Sequence, residues 1–462
     1  MADEQPAATA GADPGRRTRN RNAAATVVGS ILEWYDFFLF STSAALVFDK
    51  VFFSGSSPFV ATLASFATFA VGFAARPLGG LVLAHLGDRL GRKPVLLMTL
   101  VLMGVGTLAI GVLPTYDQIG FWAPVLLVLC RILQGLGVGA ELGGAYVWAT
   151  ESAKPTNRGF YAALPGAGEF VGVMCASGAM ALVSSMDQGA FLSWGWRLPY
   201  LASVVVVVAG FALRYFSEES ETFKAAAEEG RKQRVPLAMA VRHHWRTILL
   251  MIGASSATAI ASYSIQGYLP SYTTKQLHLP ANVAVIALTV SSAVSVVGIP
   301  LCGWLSDHFG RRPLIIGGGV AIAVFAGPFW LLVGTKSLPL ITLAVVLGFS
   351  IMLNSLIFAP AGSFYSEQLP TEVRYTGLVL TRETTAILFS GTAPFIAALL
   401  VHADGGDPWL LTGYMALSGV ITAVCTLMLK ETAPRAIARR AARKGSGGGD
   451  AGAPLEVAYA EG

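Results

Sequence analysis

The chain has 462 residues, of which 54% are hydrophobic and 13% charged, with a mean hydropathy of +0.61. Soluble domains carry roughly 25% charge, so too few polar side chains are present to coat a globule of this size, and the apolar excess must face lipid. A formal charge of +5 would suit nucleic acid, but no basic patch interleaved with aromatics accompanies it, and basic cytoplasmic loops account for the excess. Cys130, Cys175, Cys302 and Cys425 fall in apolar runs with no CxxC pair and no histidine at metal spacing, so neither disulfides nor a metal site is expected.

An apolar stretch of about 20 residues crosses a hydrocarbon core of about 30 Å as a helix. Twelve such stretches follow one another: Ala23–Phe48, Phe59–Leu83, Pro94–Leu113, Trp122–Trp148, Phe160–Ser184 and Leu198–Phe216, then Thr247–Tyr272, Val283–Leu305, Pro313–Val333, Leu338–Phe364, Tyr375–Val401 and Trp409–Leu429. The first is too long for a cleaved signal and carries Glu33 and Asp36. The expected class is an all-α polytopic membrane protein with 12 transmembrane helices.

Charge sets the orientation. With both termini in the cytoplasm, 25 Lys and Arg fall in tails and cytoplasmic loops, four outside (Lys50, Arg197, Lys275, Lys336) and three inside spans (Arg76, Arg131, Arg382). That asymmetry satisfies the positive-inside rule for a multi-pass protein of the cell membrane. The organisation expected is a disordered tail over 1–22, a six-helix bundle over 23–216, a charged cytoplasmic linker over 217–246, a second six-helix bundle over 247–430 and a disordered tail over 431–462.

The two halves repeat a charged pattern. Leu86-Gly-Asp88-Arg89-Leu-Gly-Arg92-Lys93-Pro94 follows the second span, and Leu305-Ser-Asp307-His308-Phe-Gly-Arg311-Arg312-Pro313 follows the eighth. A second pair comes after each: Glu151 to Arg158, and Glu367 to Arg374. Chance rarely repeats several loop signatures in register, so the halves are duplicates of one unit.

These residues resemble the major facilitator superfamily, whose GxxxDRxGRK loop is matched at Asp88 to Lys93 and less fully at Asp307 to Arg312. Within it the chain is similar to the metabolite:proton symporters, the group of shikimate, ketoglutarate, citrate and proline/betaine carriers. The strings that carry this likeness are Glu33-Trp-Tyr-Asp36-Phe, Phe73-Ala-Ala-Arg76-Pro, Arg131-Ile-Leu-Gln134-Gly135 with Glu141, Ser193-Trp-Gly-Trp-Arg197 and Arg374-Tyr-Thr-Gly377. The resemblance implies two six-helix bundles around a midplane site that opens to each side in turn, and it associates the RxxQG string of span four with proton coupling.

Ionisable residues inside a membrane are functional candidates by default. Arg131 and Gln134 share a helical stripe, and the nearby Gly135 and Gly139 would let a neighbouring helix approach. Glu33 and Asp36, three residues apart, share one face of span one. Desolvation favours a protonated carboxyl and a nearby cation the ionised one, so Asp36, with Glu33 as the alternative, is expected to exchange its proton in step with a salt bridge to Arg131. The charged loops are expected to form a cytoplasmic gate: Asp88, Arg89, Arg92, Lys93, Glu151 with Arg158, Asp307, Arg311, and Glu367 with Arg374. Surface pairs are each worth only about 0–1 kcal/mol, so such a gate must be a network.

Arginine grips carboxylate in a bidentate fork, so the three span arginines suit an organic anion. The substrate-facing candidates are Arg131, Gln134, Tyr35, Tyr146, Tyr263, Gln266, Asn354 and Arg382, with Tyr263, Gln266 and Gly267 forming one stripe of span seven. Two departures from the relatives' pattern, Arg382-Glu383 in span eleven and Glu169 in span five, point to a different substrate or to local pairing. The expected activity is proton-coupled symport of a small organic acid by a monomer in lipid, with the proton as coupling ion, no metal or other cofactor and no nucleic acid partner. Efflux by antiport is disfavoured because Leu164-Pro-Gly-Ala-Gly168-Glu169 does not match the antiporters' GxxxGPxxGG order. A betaine or proline osmolyte carrier is the other alternative, although the Gly-rich tail holds no heptads. A channel or receptor has little use for duplicated gate charges, and no phosphate loop or catalytic cluster supports an enzyme.

Overall fold

The computed structural model describes residues 30–31, 33–90, 92–139, 153, 155–216 and 237–445, which are almost wholly helical with no strand among them. Helix α1 covers residues 33–46. It is followed by α2 (Pro58–Leu90), α3 (Arg92–Val112), α4 (Trp122–Gly139), α5 (Arg158–Ser184) and α6 (Leu198–Phe216). Helix α7 opens as Leu237–Ala254 and continues through Ser256–Tyr263, the π-helical turns Ser264–Tyr268 and Leu269–Lys275. Then come α8 (Asn282–Phe309), α9 (Arg311–Gly334) and α10, built from Leu338–Val345, the π-helical Val346–Phe358 and Ala359–Ser366. Helix α11 joins Thr371–Thr385 through Ala386–Ser390 to Ala393–Ala403, α12 is Trp409–Met428 and α13 is Pro434–Gly445.

Among the described residues eight helices are long and apolar enough to cross a membrane. Shorter apolar helices over Leu97–Val112, Trp122–Val138 and Gly195–Ala209, together with α1, complete twelve crossings. Val205, Val297 and Val324 are 69%, 69% and 72% exposed, an arrangement that water would penalise and hydrocarbon does not.

The twelve crossings form two bundles. In the first, α4 packs on α2 and α3, and α3 on α6; in the second, α12 packs on α7 and α9, and α10 on α8 and α9. Small residues set the closest approaches. A Cβ on Gly135 would lie 2.4 Å from the Gly72 carbonyl oxygen, so α2 and α4 touch backbone to backbone, as the Arg131 stripe required. Gly319 and Gly419 play the same part between α9 and α12, where added Cβ atoms would stand 2.8 and 2.5 Å from the facing carbonyl oxygens. Between bundles, α5 runs along α8 and α2 meets α11.

At the end that carries the repeated loop motif, the bundles are joined by charge. Asp307, at the close of α8, accepts hydrogen bonds from the Gly159 and Phe160 amides at 2.8 and 3.1 Å. The carboxylate thus answers the open N–H groups at the start of α5, where the helix dipole also favours negative charge. Close contact makes this possible, since a Cβ on Gly159 would stand 2.5 Å from the Gly303 carbonyl oxygen. Glu367 pairs with Arg158 of the other bundle at 3.7 Å and with the fully buried Arg311, which also reaches Asp307 at 3.4 Å. Glu367, expected to pair with its sequence neighbour Arg374, thus takes Arg158 and Arg311 as partners. The Glu151 partner expected for Arg158, and the side chains of Asp88, Arg89, Arg92 and Lys93, lie outside the described residues.

The opposite end holds a pair that span-end position disguises in the sequence. Asp49, just beyond α1, accepts from Lys275 at the close of α7 at 2.5 Å, and Lys275 also donates to Thr62 Oγ1 at 2.6 Å. Nearby, Phe59 stacks on His402 with ring centroids 3.7 Å apart, and Asn282 donates to Ser185 at 3.2 Å. Each of these contacts crosses from one bundle to the other.

Two domain boundaries are corrected. Helix α7 begins at Leu237, ten residues inside the expected linker, whose remaining residues 217–236 lie outside the described ones. The tail expected to be disordered from residue 431 instead contains α13, because Glu431 ties it down: its carboxylate accepts from the Arg311 and Arg312 amides at 3.1 and 3.2 Å, capping α9. Arg435 then meets His308, and Arg439 donates to the His308 carbonyl at 3.3 Å.

Gly310 makes the cap possible. Its φ of +104° and ψ of 150° belong to a region nearly restricted to glycine, and a Cβ there would stand 2.7 Å from Glu431 Oε2. Gly310→Ala should therefore destabilise the protein by about 1–3 kcal/mol, read as a lower midpoint of thermal unfolding in detergent. At the opposite end, Lys275→Gln leaves the buried Asp49 without its cation, which costs more than the ~1 kcal/mol of an exposed pair, a shift of at least about fivefold toward opening at that end. A cysteine placed at Gln266 in a background lacking the four native cysteines should then react correspondingly faster with a membrane-impermeant maleimide.

Candidate functional site

Three guanidiniums sit where lipid-depth helices meet. Arg131 on α4 is 3% exposed, Arg76 on α2 is 5% exposed, and Arg382 on α11 is half-buried. Charges this deep persist only when partners replace their water.

Arg131 is enclosed by rings and amides. Its guanidinium lies 4.2 Å from the centre of Phe40, 5.2 Å from Phe37 and 5.3 Å from Phe69, and a Cβ on Gly72 would strike its Nε at 2.4 Å. The pocket thus needs glycine on α2 and aromatic faces on α1 and α2, each desolvated cation–π contact being worth about 2 kcal/mol. Arg131 Nη1 donates to Gln134 Oε1 at 3.2 Å, and Gln134 Nε2 donates to Asp36 Oδ1 at 2.9 Å and to Thr107 Oγ1 at 3.0 Å. The Thr107 hydroxyl donates to the same Asp36 oxygen. Among the described residues Asp36 and Arg131 are therefore linked through Gln134 and not by the expected direct salt bridge, the amide accepting from the guanidinium and donating to the carboxylate.

A second cluster lies at the junction of the bundles. Tyr263 of α7 packs its ring against Phe37, Phe69 and Phe73 of the first bundle at 5.9, 6.2 and 5.8 Å. Arg76 stacks over Phe73 at 4.5 Å and Phe37 at 5.1 Å. Arg76, Glu169, Arg382 and Glu33 all come within electrostatic reach of the Tyr263 hydroxyl. Glu33 and Glu169 are buried, and both they and Arg382 are engaged with neighbouring groups. Helix α5 is drawn to α1 at Gly172, where a Cβ would lie 2.4 Å from the Ile31 carbonyl oxygen. Arg131 lies between the clusters, within reach of Asp36, Arg76 and Tyr263.

Of the residues proposed from sequence, the structure unites Asp36, Arg131 and Gln134 in one network, and Glu33, Tyr263 and Arg382 in the other. Gln266 is buried in the π-helical turns just after Tyr263. Tyr35 and Asn354 make their hydrogen bonds elsewhere. The Tyr35 hydroxyl donates to the Pro199 carbonyl at 2.8 Å inside the first bundle, and Asn354 donates to Ser295 at 3.2 Å inside the second. Tyr35 also lines a small cavity together with Asp36 and Thr107. Tyr146 lies outside the described residues. Thr107 was not legible, because a hydroxyl in an apolar span is ordinary and only the fold shows that it reaches Asp36. Arg76 was noted as a charge, but its place beside Tyr263 rests on the α2–α7 contact through Phe69 and Phe73. Among the described residues no cluster of three metal-ligating side chains occurs.

Comparison with known proteins agrees with this architecture. The family profile of the Major Facilitator Superfamily matches residues 26–384. The shikimate transporter of Escherichia coli is 35% identical over 419 residues, 89% of this chain and 94% of its own. The inner membrane metabolite transport protein YhjE of the same organism is 37% identical over 421 residues, 90% and 95% of the two chains. The proline/betaine transporter of Salmonella typhimurium is 33% identical over 433 residues, 92% and 85%. Among solved structures, a partially occluded inward-open form of the xylose transporter XylE from E. coli superposes with a TM-score of 0.68 at 16% identity, over 89% of this chain and 98% of the other. Twelve helices in two bundles, and similarity to transporters along nearly the whole chain, show that the chain belongs to the major facilitator superfamily.

Proposed function

We propose that the protein is a proton-coupled symporter that takes up a small organic anion by alternating access, with Asp36 as the proton-exchanging carboxylate. The observation that carries this reading is the Asp36–Gln134–Arg131 relay, which joins a buried carboxylate to a guanidinium standing beside the junction of the two bundles. When Asp36 takes a proton its pull on the relay weakens, and Arg131 is released toward Arg76, Arg382 and an incoming carboxylate. Loss of the proton on the other side restores the relay and expels the anion. The cross-bundle contacts at each end are the parts that alternately break. A proton moving inward down an inside-negative membrane potential of 100 mV releases about 2.3 kcal/mol, and no further cofactor is invoked.

In this reading the motif end faces the cytoplasm with both termini, as the distribution of basic residues favours, and the working unit is the monomer. An osmolyte such as betaine, suggested by the proline/betaine relative, would use aromatic faces to hold its quaternary ammonium. Here the faces of Phe37, Phe40, Phe69 and Phe73 already carry Arg76 and Arg131, which favours an anion.

The test is a panel of shikimate, 2-oxoglutarate, citrate, betaine and proline in proteoliposomes with an inward proton gradient. At least one acid should accumulate, faster as the external medium is acidified, and a protonophore should abolish accumulation. Asp36→Asn should lose gradient-driven accumulation at least tenfold while retaining exchange of labelled for unlabelled acid. Protonophore-insensitive accumulation, or uptake confined to betaine or proline, would overturn the reading.

A further inference from the structure

The lipid-facing side of α8 ends at a pair of arginines. Val297, Leu301 and Trp304, spaced four and three residues apart, form one stripe along the helix, and they are 69%, 53% and 48% exposed. His308, four residues further on, continues the stripe and stacks its ring on Trp304 with centroids 4.4 Å apart. On a bundle immersed in lipid such a stripe is a bed for an acyl chain, and a tryptophan at its end marks the level of the headgroups.

Helix α13 brings its bases to the same corner. Arg435 donates to His308 Nε2, so the imidazole carries its hydrogen on Nδ1 and donates it to the Trp304 carbonyl oxygen at 2.9 Å. Arg439 donates to the His308 carbonyl at 3.3 Å. A guanidinium has five N–H donors, and each arginine spends one here. Among the described residues no carboxylate pairs with Arg435 or Arg439. The nearby acids are turned elsewhere: Glu431 accepts from the Arg311, Arg312, Thr432 and Ala433 amides, and Asp307 from those of Gly159 and Phe160. Two guanidiniums with donors to spare thus flank a histidine at the foot of an apolar, lipid-facing stripe.

We propose that this corner binds an anionic phospholipid, with Arg435 and Arg439 on its phosphate and an acyl chain along Trp304, Leu301 and Val297. Arginine meets phosphate oxygens in a fork, and a headgroup with net negative charge attracts such bases where a zwitterionic one does not. The lipid is held at the contact that joins α13 to α8, so it fastens α13 and keeps Glu431 in place as the cap of α9. The inference requires that the chain lie in a membrane and is independent of its substrate and coupling ion.

The test is native mass spectrometry of the full-length protein in neutral detergent, with phosphatidylglycerol and phosphatidylcholine of identical chains supplied in equal amounts. Wild type should retain phosphatidylglycerol with a preference of about tenfold or more, and added inorganic phosphate should not displace it, because phosphate has no chain to lay on α8. The double variant Arg435→Gln with Arg439→Gln should lose the preference, whereas Lys336→Gln, at the opposite end of the molecule, should keep it. If the double variant does not fold, wild type in nanodiscs decides the matter: phosphatidylglycerol carrying a photoreactive diazirine in its acyl chain should label the α8 segment from Val297 to Trp304 more heavily than the matching phosphatidylcholine. Equal retention of the two lipids, an undiminished preference in the double variant, displacement by inorganic phosphate, or α8 labelling indifferent to the headgroup would each overturn the proposal.

Discussion

A guanidinium in the middle of a membrane has to be answered by a carboxylate or by π-electron density, and the architecture of this protein follows from meeting that demand three times. Arg131 determines that α2 bears glycine at position 72 and that α1 and α2 turn phenyl rings inward. Arg76 requires Phe37 and Phe73 in the same layer, and Tyr263 closes that layer from the other bundle. Removing a ring or adding a methyl group here does more than spoil packing, since it leaves a buried charge with fewer partners than the bilayer tolerates.

The same helices carry the charges of the centre and the contacts of the ends. Helix α1 holds Glu33 and Asp36 and leads directly to Asp49; α7 holds Tyr263 and ends at Lys275; α5 begins at the amides that Asp307 caps and carries Glu169 two to three turns further on. A change of charge at the centre therefore acts on rigid rods whose tips form the latches. Individual latch contacts are weak, a kcal/mol or two each, so the two ends can exchange closed and open states under the free energy of one proton and one anion.

Much of this was legible in the amino-acid sequence, and the limits of what was have physical causes. Composition and span length imposed twelve helices, and the repeated loop imposed the duplication, because both are local properties of the chain. Asp36, Arg131 and Gln134 stood out because ionisable and amide side chains in apolar runs are costly. Thr107 did not, since a hydroxyl can satisfy itself on its own helix, as it also does here by donating to the Met103 carbonyl at 2.8 Å. Asp49 and Lys275 resembled ordinary loop charges, being at span ends 226 positions apart in a chain of 462 residues. The gate pairs were read as local because Glu367 and Arg374 are close in sequence, whereas Glu367 reaches across the bundle junction to Arg158. The tail's Gly-rich composition after Lys444 masked the helix before it, whose order depends on the remote capping contact between Glu431 and α9.

The duplication is faithful in the loops but not in the core, and that asymmetry explains a division of labour. Among the described residues Glu33, Asp36, Arg76, Arg131 and Glu169 lie on α1, α2, α4 and α5, whereas the second bundle contributes Arg382 and its neighbour Glu383 on α11. Conversely, among the described residues π-helical turns occur only in the second bundle, in α7, α10 and α11. A wide turn leaves backbone groups less regularly paired and lets a helix bend, a poor support for a proton site that must hold its hydrogen bonds within a few tenths of an ångström. The first bundle keeps its titrating groups on regular helices, held by glycine contacts, where geometry is reproducible. The second presents Tyr263 and Gln266 at the wide turns of α7, and Arg382 one turn before those of α11, where a small bend moves a side chain toward or away from the anion. In the proposed mechanism one half thus stores the proton, the other moves around the substrate, and Arg382 is the guanidinium that the second bundle contributes.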